Sequence, residues 1–159
     1  MLAGRCDEGK ALLRRSRALQ SSPPLGPEQV ENVVEAVNIQ YCLGQLTPRE
    51  QLLKASGELQ RAAFTSVDAA SCARSYETVK RLATTVAPRS EDDHPVKGAL
   101  SPTSQGMSAA QCFVRAGDCS SARRAYDDAL GGTPGRISRL SPAQSRAAFD
   151  ASFERCKGR

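Results

Sequence analysis

Tryptophan is absent from this 159-residue chain, which holds only three tyrosines, four phenylalanines, two methionines and one histidine. A sandwich or barrel core needs β-branched and aromatic strands, so this composition argues against an all-β fold. The core must come from Ala, Leu and Val, whose small bulk suits helices packed at close range. No stretch nears the ~20 consecutive apolar residues of a membrane helix. Met1–Cys6 lacks the basic segment and apolar run of a secretory signal. A single His and the lack of any CxxC pair argue against structural zinc. There is no G-x-S-x-G, P-loop, H-E-x-x-H or EF-hand calcium loop. The reading is therefore no enzyme, no metal and no cofactor. His94 follows Glu91, Asp92 and Asp93 and precedes Pro95; an acid–His pair can act as a base, but in a Pro-flanked polar segment it reads as solvated. Asp127 and Asp128 are adjacent on a helix and point apart, which makes them poor joint ligands.

Hydrophobic residues make up 40% and charged residues 25% of the chain, enough apolar material for one globular domain. The net charge is +5, carried mostly by Arg and scattered among acids. The one dense cluster is Arg14, Arg15 and Arg17, which reads as a solvated helix face. A nucleic-acid binder would show a basic stripe, so nucleic acid ranks low as a partner.

Helix signals recur along the chain. Segment one spans Leu2–Leu19. Segment two opens at Pro27, a first-turn proline followed by Glu28 and Glu31, and carries a stripe of Val30, Val33, Val34, Val37 and Tyr41. Segment three opens on Thr47-Pro48-Arg49-Glu50, a capping box, and continues through Leu52, Leu59 and Ala63. Segment four runs from about Val67 to Ala83 with Cys72, Tyr76, Val79 and Leu82 on one face. Ala87–Gly106 holds three prolines and an acidic run without periodicity and reads as a mobile loop. Segments five and six are Met107–Ala116 and Ser120–Leu130. Segment seven opens at a second capping box, Ser141-Pro142-Ala143-Gln144, with Phe149, Phe153 and Cys156 on one face. The short candidate strand Arg136–Leu140 is too isolated to make a sheet. The expected fold is all-α, about seven helices in antiparallel pairs. It divides into helical pairs over 1–86, a loop over 87–106 and a helical unit over 107–159, forming one structural domain.

Gly106–Pro134 reads GMSAAQCFVRAGDCSSARRAYDDALGGTP. It resembles a tetratricopeptide (TPR) repeat unit, set within about 104–136. Ala110 and Phe113 fill the small and aromatic places of the first helix. Gly117 and Asp118 form the turn. Ala122, Tyr126 and Ala129 fill the second helix, and Pro134 ends the unit. Gly106 departs from the large hydrophobe expected there. The resemblance implies a right-handed solenoid fragment, degenerate outside this unit, whose first helices line a groove for a protein or peptide partner. The family's groove positions fall on Met107, Gln111, Val114 and Arg115, and with a net +5 an acidic segment is the matching ligand. A weaker echo joins Ala3-Gly4-Arg5-Cys6 onward to Ala116-Gly117-Asp118-Cys119 onward, aligning Gly9 with Ala122 and Leu13 with Tyr126. In the later copy a helix precedes the motif; in the early copy the chain opens inside it. The expectation is that Met1 is a mis-set start or a boundary and that the native chain continues upstream.

Six cysteines occur, at positions 6, 42, 72, 112, 119 and 156. Spread roughly one per helix, they suit inter-helix bridges, and adjacency picks Cys6–Cys42, Cys72–Cys112 and Cys119–Cys156 from the fifteen possible pairings. Six buried free thiols acting as small hydrophobes are the alternative, favoured at Cys72 and Cys156 by their apolar stripes. Cys6, Cys112 and Cys119 look placed rather than packed. Cys119 at a helix start is also a weak candidate for a reactive thiol. Bridges imply an oxidising compartment and export to the cell envelope. Three functional readings stand: an interaction scaffold, a mainly structural exported protein or lipoprotein, and a basic nucleic-acid-binding domain.

Overall fold

The computed structural model of the chain describes residues 5–20, 24–42, 46–65, 68–91, 93–131 and 141–158. Among these residues the fold is all-helical, with no strand. In order, the helices are α1 (Cys6–Gln20), α2 (Pro27–Tyr41), α3 (Pro48–Ala62), α4 (Ala69–Ala83), α5 (His94–Leu100), α6 (Pro102–Ala116), α7 (Cys119–Gly131) and α8 (Pro142–Ser152), followed by a 3-10 turn at Glu154–Cys156. The candidate strand at 136–140 and the proline at 134 lie outside the described residues.

Helix starts follow local chemistry. At α3, Glu50 N donates to Thr47 Oγ1 at 3.3 Å and Thr47 N donates to Glu50 Oε2 at 2.8 Å, so the capping box forms. The second box forms likewise between Ser141 and Gln144. Asp68 caps α4 by accepting from Ser71 N at 2.7 Å. The α6–α7 turn is set by Gly117, whose φ of 82° is costly for any side chain, with Asp118 N donating back to Phe113 O at 3.0 Å.

Ala87–Gly106, read from sequence as a loop, contains α5 and the first turn of α6. Two of its three prolines mark first turns rather than breaks: Pro95 and Pro102 sit at the starts of α5 and α6, where the lost N–H costs nothing. A seven-residue helix is too short to show periodicity, and its stability comes from tertiary contacts. Helix α6 accordingly opens at Pro102, not Met107. The last helix ends at Ser152, so Phe153 and Cys156 continue its face from the cap and the 3-10 turn instead of from the helix.

One core joins α3, α4, α6, α7 and α8 through Leu52, Leu59, Cys72, Val79, Ala109, Phe113, Ala122, Tyr126 and Phe149. Helix α6 packs on α7, α4 and α3, and α3 packs on α4. Helix α1 packs chiefly on α2. Tyr126 makes edge contacts with Phe149 and Phe153 at centroid distances of 5.4 and 5.9 Å, so three of the few aromatics gather where α8 closes the core.

Three disulfides form: Cys6–Cys42, Cys72–Cys112 and Cys119–Cys156. Each starts in the first turn of one helix and spans 36 to 40 residues of chain; Cys42 and Cys156 lie just past α2 and α8, and Cys112 lies within α6. Cys112, which looked placed rather than packed, is fully buried, as are Cys72 and Cys156. Burial on an apolar stripe and bridging are compatible here, because the bridge partner is itself part of the core.

Candidate functional site

Of the residues assigned to repeat packing, Ala110, Phe113, Ala122, Tyr126 and Ala129 are buried on α6 and α7, and Gly117 forms the turn between them. Ala110, Ala122 and Ala129 are fully buried, and Phe113 and Tyr126 nearly so. Gly106 is the point of closest approach between α6 and α7. A Cβ there would lie 2.5 Å from Ala125 O and 2.6 Å from Ala129 Cβ. The position that departs from the repeat pattern is therefore one where only glycine fits. Asp118 begins α7 by accepting from Ser121 N at 3.0 Å, a bond that lowers the carboxyl's pKa.

Of the four groove positions, Met107, Gln111 and Arg115 recur every fourth residue along α6 and share one face. Met107 and Gln111 are half-buried and Arg115 is exposed. Met107 also packs against the core. Val114 is a correction: at 8% exposure it belongs to the core. It sits one residue before Arg115, about 100° around the helix, which turns it inward.

Sequence reasoning missed Arg155. Its Nη1 donates to Arg115 O at 3.4 Å, so the 3-10 turn brings a second guanidinium beside the end of α6. Neither Arg115 nor Arg155 has a carboxylate within ion-pair distance among the described residues. The Cys119–Cys156 bridge places that turn, and no sequence motif announces the contact.

Also missed was a buried ionic cluster. Arg49 donates through Nε to Glu35 Oε1 at 2.6 Å and through Nη2 to Asp93 Oδ1 at 2.8 Å, with Nη1 on Asp93 Oδ2. Arg89 adds its Nη2 to Glu35 Oε1 at 2.5 Å and its backbone N to Asp93 Oδ2 at 2.8 Å. The Arg49 guanidinium holds the Asp93 carboxyl down to about 2. Next to this, Asn38 Nδ2 donates to Glu50 Oε1 at 2.6 Å. The cluster fastens α2 and α3 to the entry of α5, and each arginine in it is paired with a carboxylate, so it reads as a clamp. His94, beside it in sequence, is exposed.

Asp127 and Asp128 do point apart. Asp127 pairs with Arg123 at 3.1 Å on the α8 side, while Asp128 accepts from Tyr76 Oη at 3.1 Å on the α4 side. Burial, then the Asp128 charge, pushes the Tyr76 phenol up. In the Arg14, Arg15 and Arg17 cluster, Arg14 is engaged by Glu31 at 2.5 Å; the side chain at 17 is outside the described set. Among the described residues no group of His, Cys, Asp and Glu is arranged to hold a metal ion, and no helix is long and apolar enough to cross a membrane. Compared with protein-family models, curated proteins and solved structures, the chain matches none of them.

Proposed function

We propose that the chain is a non-catalytic protein-interaction scaffold of TPR-like type, acting in an oxidising compartment of the cell envelope and binding an acidic segment of a partner. The observation that carries this reading is the division of α6. Its inner side, Gly106, Ala109, Ala110 and Phe113, is pressed into the core, while Met107, Gln111 and Arg115 remain at the surface of the same helix. The packing order supports it: α6 lies against both helices of the α3–α4 hairpin before turning into α7. Arg155, beside Arg115, doubles the positive charge at the groove's end, which suits a carboxylate-rich peptide. Three bridges support the oxidising compartment.

The test is fluorescence anisotropy with a dye-labelled peptide rich in glutamate. The wild-type chain binds it with an affinity that falls with salt. The double variant Gln111→Ala, Arg115→Ala binds at least about tenfold more weakly, a loss of ~1.4 kcal/mol. Unchanged affinity contradicts the scaffold reading and favours the alternative that the same three bridges support, a mainly structural exported protein or lipoprotein.

A further inference from the structure

Helix α1 and helix α7 each open the same pattern of bridge spacing and helix capping. Each begins on a cysteine, Cys6 and Cys119. Each of those cysteines is bridged to a residue beyond the end of the next or a following helix, 36 and 37 positions on, at Cys42 and Cys156. The helix inside each loop, α2 or α8, has proline first and glutamine third, and that glutamine accepts from the backbone N of the residue before the helix, at 3.0 Å for Gly26 and 2.8 Å for Ser141. The eighth residue of each, Val34 or Phe149, is buried.

Under this equivalence Gly9, Leu12, Leu13 and Ser16 correspond to Ala122, Ala125, Tyr126 and Ala129. The second set is 5% exposed or less: α6 meets Ala125 and Ala129 at Gly106, and Tyr126 packs against Phe149 and Phe153. The first set lines an open apolar groove of about 640 Å³ together with Arg5, Glu8 and Val37. Leu12, the counterpart of the 2%-exposed Ala125, is 64% exposed. On α7 the surface is covered by a helix; on α1 the same surface is open.

We propose that this face of α1 seats an amphipathic helix of a partner protein, running antiparallel to α1 as α6 runs antiparallel to α7. The side chains define its chemistry. Leu12 protrudes where Ala125 does not, so the occupant needs Gly or Ala near its start, as α6 has Gly106. Gly9 leaves a hollow at the other end, which takes a large apolar side chain about two turns later, as Phe113 follows Gly106 by seven residues. Arg15 lies seven residues from Glu8 on the same flank and has no carboxylate partner among the described residues. An acidic residue in the occupant's first turn meets Arg15 and favours its own helix end. The surface is distinct from the Met107–Arg115 face, so either proposal can fail without the other.

The probe is a dye-labelled peptide with the sequence of α6, Pro102–Ala116, carrying Cys112→Ser and extended by two N-terminal aspartates. Titrated with the intact oxidised chain, it binds one to one. Leu12→Arg, a change at an exposed position whose folding is checked by the far-UV melting curve, weakens binding at least about tenfold, and Arg15→Glu weakens it less. Absence of binding up to roughly millimolar chain, or equal binding by wild type and Leu12→Arg, overturns the proposal. So does Leu12-dependent dimerisation of the chain alone in sedimentation, which assigns the groove to a second copy.

Discussion

Gly106 and Ala129 stand so close that a Cβ on the glycine would come within 2.6 Å of the alanine Cβ. Helices α6 and α7 meet backbone to backbone at this point, and Thr103 Oγ1 donates to Ala129 O at 3.3 Å one turn earlier. The contact explains why a chain poor in aromatics can still hold a tight core: small residues remove the bulk that would separate the helices.

Adding a methyl at Gly106 sets two effects against each other. Alanine gains about 0.5–1 kcal/mol of helix propensity, but overpacking costs about 1–3 kcal/mol. Gly106→Ala therefore destabilises. Gly57 in α3 supplies the control, since a Cβ there meets nothing within 4 Å. Gly57→Ala stabilises by about 0.5–1 kcal/mol. Urea unfolding of the two variants gives shifts of opposite sign.

The Arg49 clamp makes a larger claim. Arg49→Ala leaves the buried carboxylates of Glu35 and Asp93 without their guanidinium, and truncating one partner of a buried pair costs about 3–5 kcal/mol. Asp93 sits at about 2, below the ordinary carboxylate range, so the stability it contributes is present above about pH 4 and is lost as pH falls through about 2. Asp93→Asn removes that part of the acid transition. Acid titrations followed by far-UV circular dichroism compare the two.

Tyr76 titrates in the opposite sense. Its folded-state pKa is raised, first by burial and then by Asp128. The contribution to stability is complete below the phenol's ordinary pKa of about 10 and is lost as pH rises past it. Asp128→Asn lowers the alkaline midpoint of Tyr76, read by absorbance near 295 nm, with Tyr41→Phe in both backgrounds to simplify the signal.

Much of this was legible in the residues. Thr47–Glu50 and Ser141–Gln144 announced two helix starts because a capping box is written in four consecutive positions. Adjacency of helices picked the three cysteine pairs. Helix α5 was not legible, because seven residues give no period and its entry depends on Arg49, 44 positions before Asp93. Long-range ion pairs leave no local signature. Val114 was misplaced by carrying over a repeat-family position where the actual register turns it inward, and Arg155 reaches Arg115 O from a turn whose Cys156 is bridged to Cys119, a long-range contact with no local signature.

The account rests above all on one recurring bridge standing in for a large aromatic core, each closing a loop that stabilises by about 3–4 kcal/mol in the chain-entropy picture. Proteolysis of the unreduced protein with thiols blocked, followed by mass spectrometry of the linked peptides, tests it directly. The predicted result is three linked pairs, Cys6 with Cys42, Cys72 with Cys112 and Cys119 with Cys156, and no blocked thiol. Six blocked thiols, or any other pairing in the native protein, contradicts it.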